Sequence, residues 1–360
     1  MPDAAGTGSQ TTKSLLVAVS HAIERAALAA AEDGPMAVVA LFQRVPYLSH
    51  ERRVYERIAE RAAVTVVAAV GGDPAVDRPA GTVLVPLDQR EPLAREWTVV
   101  VLTPRFGATL VAHDRETVDA GAETLEAGRL FDGRWSIRRD DALHEFLRLR
   151  RALGDRLPPA TAATMDAVVA RVREVPATPG ESRADAMFRH MAGRSGRSRP
   201  PAREAEARFA TSEEVRDWSG ESGVTASGVL PVAMLGVRVP AAHRLPAQAG
   251  RRTAAMRDES MLTMLGELAG AAGRVTRVDE DEFLVLIPGL SGDDAVQLAQ
   301  RVNVQLAEAA AHNAFLPATA TVAVAVTRRR PLPGEDVRQA LRWAVAEGVP
   351  VAKVTEPGPE

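Results

Sequence analysis

Apolar and polar positions alternate in two distinct ways along this chain. From residue 12 to about 155, short solid apolar runs are separated by stretches whose apolar residues recur at helical spacing. The pattern predicts a helix from Thr12 to about Ala31, stopped by Asp33-Gly34-Pro35, and then a buried strand, Met36–Phe42. A second helix is expected from Ser49, read as its cap, through Ala63, with Tyr55, Ile58 and Ala62 on one face. Val64–Val70, Thr82–Leu87, Trp97–Thr103 and Phe106–His113 read as four further strands, the last two a hairpin through Pro104-Arg105. An Ala/Glu-rich helix, a strand at Trp135–Ile137 and a helix from an Asp140 cap to Leu153 complete an α/β domain.

Residues 157–228 lack strand patterning and carry Pro158-Pro159, Pro176, Pro179-Gly180 and the Arg/Ser/Gly/Pro-rich segment Gly193–Pro201. They are expected to form a linker with short helices near Ala184–Met191 and Ala202–Phe209. From Val229 the order is strand (Val229–Val239), helix (Thr253–Ala272), hairpin (Arg274–Ile287), helix (Asp293–Ala311), strand (Ala318–Val326) and helix (Glu335–Glu347). Val349–Val354 would close an edge. This β-α-β-β-α-β order is that of ferredoxin-like folds. The expected map is a disordered start (1–11), a first domain (12–156), the linker (157–228), a second domain (229–355) and a tail (356–360).

Composition narrows the function classes. A net charge of −3 and a pI near 6.2 give no general attraction to nucleic acid or anionic lipid. The absence of cysteine removes disulfides and thiolate metal sites. Apolar runs such as Met36–Phe42 are too short to cross a bilayer, and Met1–Lys13 lacks a signal-peptide core. Lysine occurs only at 13 and 353, so no GxxxxGK[ST] phosphate loop exists. The seven histidines, at 21, 50, 113, 144, 190, 243 and 312, show no metal-ligand spacing. The expectation is a cytoplasmic protein with no cofactor, no metal and no membrane partner.

The stretch Arg277-Val278-Asp279-Glu280-Asp281-Glu282-Phe283, at the tip of the expected hairpin, resembles the signature turn of the GGDEF family, the diguanylate cyclases that join two GTP molecules into cyclic di-GMP. Asp281-Glu282-Phe283 fits the pattern, while Asp279 and Glu280 stand where its two glycines belong. Glycine there allows positive φ and close approach of a nucleotide, whereas two carboxylates add bulk and negative charge. Ala340-Leu341-Arg342-Trp343-Ala344-Val345-Ala346-Glu347-Gly348 resembles the family's late helix, with Val345 replacing its lysine. The resemblance puts Gly236 at the metal-holding Asp of the first strand and Arg244 near the guanine-reading Asn. Gly270 and Gly273 fall on the Arg and Asp of the product-inhibition site.

Phosphoryl transfer of this kind uses two metal ions held between carboxylates from separate strands. Asp279, Glu280, Asp281 and Glu282 without a partner at 236 are therefore read as the relic of a nucleotide and metal site, and as a solvated hairpin tip. The resemblance implies a domain that is not an enzyme.

The first domain resembles the DICT family over residues 12–155. Phe42-x4-Tyr47-Leu48-Ser49-x-Glu51-Arg52-x2-Tyr55, Asp88-x2-Glu91-Pro92-Leu93-Ala94-x-Glu96-Trp97 and Gly128-Arg129-Leu130-Phe131-Asp132-Gly133-Arg134-Trp135-Ser136 carry the likeness. This family is regarded as sensory and occurs beside GGDEF and histidine-kinase modules in bacteria. Phe42, Tyr47, Glu96 and Trp97 form the candidate sensor pocket, although packing is the favoured reading for Trp97, and Tyr55, at helical spacing from Ile58, is read as core.

The fold class is thus an N-terminal α/β sensory domain followed by a C-terminal ferredoxin-like domain of the GGDEF, nucleotide-cyclase-like kind. The leading function is non-catalytic signal sensing and relay, with an unknown small ligand or signalling protein as partner and a homodimer left open. A weak diguanylate cyclase or a receptor for GTP or cyclic di-GMP is the first alternative. The second is a DNA-associated regulator working through Arg194, Arg197 and Arg199, although no aromatic residues interleave with that basic run.

Overall fold

The structure, a computed structural model, describes residues 9–29, 33–119, 121–176, 180–196, 208–209, 212–220, 230–239, 250–312 and 316–354. The chain divides into two compact units. The first comprises Met1–Arg115 and Leu130–Pro200, the second Glu116–Arg129 and Pro201–Glu360.

The first unit is a seven-stranded sheet with helices on both faces. Its elements are β1 (Ser9–Thr12), α1 (Lys13–Ala29), β2 (Ala37–Phe42), α2 (Val45–Ala59), β3 (Val64–Val70), β4 (Val83–Leu87), β5 (Glu96–Leu102) and β6 (Gly107–Val118). After α3 (Leu125–Gly128), which lies in the second unit, come β7 (Arg129–Ser136), α4 (Arg139–Leu153), α5 (Pro159–Glu174) and α6 (Glu181–Gly196). The strand order is β1-β7-β6-β5-β2-β3-β4. The period-2 geometry of a strand sends alternate side chains to opposite faces. Val38, Ala40 and Phe42 therefore join the core under α1 and α2, while Ala37, Val39 and Leu41 join the core under α4 and α5. A strand buried on both sides reads as an unbroken apolar run, as β2 and β3 do.

Several sequence expectations are corrected here. Residues 9–11, assigned to a disordered start, belong to β1, which pairs antiparallel with β7 from Ser9↔Gly133 to Thr12↔Leu130. Ser49 does not cap α2, which begins at Val45 with Pro46 in its first turn; the Ser49 hydroxyl donates to the Val45 carbonyl at 3.0 Å. Asp140 lies within α4, not at its cap, and together with Asp141 it puts negative charge in the first turn. The Ala/Glu-rich helix shrinks to α3, capped by Thr124, because β6 runs on to Val118. Within 157–228, expected as a linker with short helices, α6 covers the helix expected at Ala184–Met191, and α5 packs on the first unit. Met165, Val168, Val169 and Val172 of α5 are buried in the core of the first unit, a stripe at helical spacing that the surrounding prolines obscured.

The second unit contains α7 (Ser212–Ser219), β8 (Arg208–Phe209), β9 (Val232–Arg238), α8 (Gly250–Ala269), β10 (Arg274–Arg277), β11 (Glu282–Pro288), α9 (Gly292–His312), β12 (Thr321–Thr327), α10 (Gly334–Glu347) and β13 (Val351–Lys353). Its sheet order is β13-β12-β9-β11-β10-β8. Central β9 is antiparallel to both β11 and β12, and β10 and β11 form the hairpin. This is the strand arrangement of the ferredoxin-like fold expected from the sequence. Ala233, Leu235 and Val237 face α8 and α9, while Val232 and Met234 face α10 and α7.

The segment Glu116–Arg129, assigned from sequence to the sensory domain, belongs to this second unit. Leu125 is fully buried among Val215, Trp218, Leu230 and Leu286. The Arg274 guanidinium lies 5.1 Å from the Trp218 ring and donates to the Ala122 carbonyl at 3.4 Å. Arg328 pairs with Glu116 at 3.2 Å. Gly289 sits at φ 75°, and a β-carbon there would stand 2.3 Å from the Glu116 carbonyl oxygen, so only glycine allows this approach.

Candidate functional site

In the second unit, the β10–β11 hairpin turns through Val278–Asp281. The Val278 and Asp279 amides donate to the Glu282 carbonyl at 2.8 and 3.2 Å. Arg277 braces the turn from inside, donating to the carbonyls of Asp279 (3.1 Å) and Glu280 (3.3 Å). Its remaining nitrogen, Nη1, pairs with Asp258 of α8 at 2.7 Å, and Arg257 pairs with the same carboxylate at 3.1 Å.

Asp279 and Glu280 are exposed, and the Asp279 carboxylate accepts from the Glu280 amide at 2.7 Å. Glu282 lies opposite Arg238 in the β9–β11 register and pairs with it at 3.3 Å. Of the four hairpin acids, Asp279 and Glu280 are thus in solvent, Glu282 is in a cross-strand ion pair, and Asp281 is half-buried, its carbonyl accepting from the Val239 amide at 3.0 Å.

Position 236 decides what the facing strand can contribute. Gly236 pairs with Leu284 and Ala323 in the middle of the sheet, on the face covered by α10. A β-carbon there would stand 2.9 Å from Val337 Cγ1 and 3.5 Å from Leu341 Cδ2. Both residues are buried, so the place where a carboxylate would project is filled by apolar side chains.

Other residues singled out from sequence are distributed as follows. Gly270 ends α8 at φ 69°, and Gly273 follows in a turn where a β-carbon would meet Ala269 Cβ at 2.6 Å. Val345 is exposed on α10. Arg244, Arg197 and Arg199, the side chain of Arg194 and residues 202–207 of the helix expected at Ala202–Phe209 lie outside the described residues; the last two residues of that expected helix, Arg208 and Phe209, form β8 instead.

In the first unit, the four candidate pocket residues do not share a face. Phe42, Tyr47 and Trp97 all lie on the α1–α2 side. Phe42 packs edge-on against Tyr55 with ring centroids 5.4 Å apart, Trp97 packs edge-on against Phe131 at 6.2 Å, and Lys13 Nζ lies 4.6 Å from the Tyr47 ring centre. Glu96, the neighbour of Trp97 on β5, points to the opposite face and forms a buried ion-pair chain. Arg148 of α4 donates to both Glu96 oxygens and, through Nε, to Glu145 at 2.7 Å; Arg134 also binds Glu145. Burial pushes the Glu96 carboxyl up, but hydrogen bonds from His113, Arg148 and Thr98 outweigh it and hold the pKa at about 2. Glu96 and Glu145 in turn raise Arg148 against its own burial. Glu96 is therefore an ion-paired carboxylate between β5 and α4, on the face of the sheet opposite to Trp97.

Among the described residues, the one group of three side chains placed to hold a metal ion is His21, Glu24 and Glu51, not the hairpin acids. The Tyr55 hydroxyl, in the core beside Phe42, donates to Glu24 at 3.1 Å. Burial, reinforced by Glu51, pushes the Glu24 carboxyl up to about 7 against the lowering effects of His21, Ser20 and Tyr55. Sequence reading missed this group, because its only local signal is the i, i+3 spacing of His21 and Glu24. Glu51 arrives from another helix.

Residues 4–115 match the family model DICT, described as "Sensory domain in DIguanylate Cyclases and Two-component system". The N-terminal unit carries a DICT domain. The match ends at Arg115, where the chain passes into the second unit, so the stretch 128–136 that contributed to the sequence resemblance lies outside it.

No curated protein matches the chain. Solved structures similar to it include the GGDEF domain of FimX from Pseudomonas aeruginosa, at 18% identity and a TM-score of 0.33, covering 42% of this chain and 99% of that one. The GGDEF domain of DgcB from Caulobacter crescentus in complex with c-di-GMP has 13% identity and a TM-score of 0.30, covering 43% and 96%. The active GGEEF domain of a diguanylate cyclase from Vibrio cholerae has 17% identity and a TM-score of 0.28, covering 35% and 85%. No helix among the described residues is long and apolar enough to cross a membrane.

Proposed function

We propose that this is a non-catalytic signalling protein, in which the DICT domain receives a small ligand or a partner protein and the ferredoxin-like unit serves as a binding or dimerisation output. We place it in the cytoplasm, in line with its charge and its lack of cysteine. The DICT match supports a sensory role for the first unit.

The non-catalytic part of the reading rests on Gly236. Two-metal phosphoryl transfer needs carboxylates from separate strands converging on one point. At 236 there is no carboxylate, and Val337 and Leu341 occupy the space one would enter. Across the sheet, Glu282 is engaged by Arg238. Asp279 and Glu280 place two side chains where a close nucleotide approach would need bare backbone.

The test is direct. Purified full-length protein is incubated with GTP and Mg²⁺ or Mn²⁺ and assayed for cyclic di-GMP. The expected result is no product above a heat-killed control; product formed well above that control would overturn the non-catalytic reading.

A further inference from the structure

The group His21, Glu24 and Glu51 plays no part in the relic site of the second unit or in the ion-pair chain around Glu96. His21 and Glu24 are three residues apart on α1 and so share one face of that helix; Glu51 projects from α2. One ligand atom from each of the three lies within 4.8 Å of the others. His21 Nε2 and Glu51 Oε1 are 3.2 Å apart.

Glu24 is 97% buried, since only 3% of its surface is exposed. Its two hydrogen bonds, from Ser20 and Tyr55 at 3.1 Å each, both fall on Oε1. The second oxygen, Oε2, accepts no hydrogen bond from the protein and is open to a ligand or solvent. No Lys or Arg among the described residues forms an ion pair with Glu24 or Glu51.

We propose that His21, Glu24 and Glu51 form a binding site for a divalent transition-metal ion between α1 and α2 of the DICT domain. One imidazole and two carboxylates make a mixed nitrogen and oxygen set, suited to Zn²⁺, Mn²⁺ or Co²⁺, whereas Ca²⁺ and Mg²⁺ favour all-oxygen cages. Two carboxylates and a neutral imidazole balance the charge of one such ion. This supplies the counter-charge that buried Glu24 lacks. Ser20 and Tyr55 then act as outer-shell donors that fix the carboxylate while leaving Oε2 for the metal, the usual division of labour around metal ligands. Three protein ligands leave at least one coordination position for water or an exchanging ligand. As the ligand of a sensor, the ion rests on the sensory reading above; the binding itself does not.

The experiment uses full-length protein stripped with chelator and titrated with Zn²⁺ and, separately, Co²⁺. The expected results are one saturable site, a dose-dependent rise in melting temperature, and for Co²⁺ a visible absorption band of low-coordinate cobalt. His21→Ala and Glu51→Gln change partly exposed residues and leave the core intact. Each should weaken binding by about tenfold or more, and the double variant should lose the cobalt band.

Failure of the wild type to bind either ion saturably would overturn the proposal. So would a double variant that binds as the wild type does, which would place the metal on other groups. Neither outcome touches the cyclase assay, so loss of the metal site and loss of the non-catalytic reading are separable.

Discussion

Arg148 meets Glu96 end-on, with Nη1 on one carboxylate oxygen and Nη2 on the other. A bidentate guanidinium–carboxylate pair is the strong form of the interaction, and here the acid is only 3% exposed. Breaking such a pair from one side leaves a buried charge behind. Arg148→Ala should therefore cost about 3–5 kcal/mol, read as a lower urea midpoint at pH 7.

The same pair sets a pH dependence. The Glu96 pKa lies near 2 in the folded protein against 4.5 ordinarily, so its contribution is complete above pH 4.5 and is lost as pH falls towards 2. By linkage that contribution is on the order of 3 kcal/mol at neutral pH. Urea unfolding between pH 7 and 2.5 should show this loss in the wild type and a shallower decline in Arg148→Ala.

Restoring the missing first-strand acid should not restore chemistry. Gly236→Asp puts a carboxylate against Val337 and Leu341. Overpacking alone costs about 1–3 kcal/mol, and an unpaired buried charge adds to it. The expected outcome is a lower melting temperature and no cyclic di-GMP from GTP, even combined with Asp279→Gly and Glu280→Gly. Product from the triple variant would show that the hairpin retains more of a site than its ion pairs indicate.

Product feedback should also be absent. Gly270 and Gly273 offer neither a guanidinium nor a carboxylate to grip guanine and phosphate. A ligand that binds only the folded state raises its stability by mass action. Cyclic di-GMP should therefore leave the melting temperature unchanged, and a dose-dependent rise would reveal a binding mode elsewhere on the surface.

Leu125 provides a test of domain architecture. It follows a sensor strand in sequence, yet it is buried among Trp218, Leu230 and Leu286 of the second unit. Leu125→Ala should cost about 2–5 kcal/mol. Hydrogen exchange should show the loss in β9 and β11, with β2 and β3 largely unaffected.

Most of the sheet was legible because its strands are solid apolar runs. Val64–Val70 coincides with β3, and the hairpin at Arg274–Ile287 is close to β10 and β11. Tyr55 was read as core from its spacing to Ile58, and both are fully buried. Elements whose assignment depends on distant partners were not legible. β1 exists because β7 offers it an edge, and α5 hides its buried stripe between proline-rich flanks.

Site residues followed the same rule. Alternation along β5 puts Glu96 and Trp97 on opposite faces of the sheet, so the four expected pocket residues do not share one face. Strand period alone implies that separation, whereas the pairing of Glu96 with Arg148, 52 residues on, has no local signal. The pairing of α1 with α2 that brings Glu51 to His21 has no counterpart in local sequence.

The passage of Glu116–Arg129 into the second unit bears on how this protein can be rebuilt in the laboratory or in evolution. A chimera made by cutting after residue 200 and exchanging everything downstream would carry a foreign second unit lacking its own Leu125, Glu116 and Ala122 backbone contacts. A recombination event at that single point would do the same. Two further junctions, at 115/116 and 129/130, would have to move together with it. The two units can be shuffled as modules only in threefold register, so single-crossover shuffling should select against separating them.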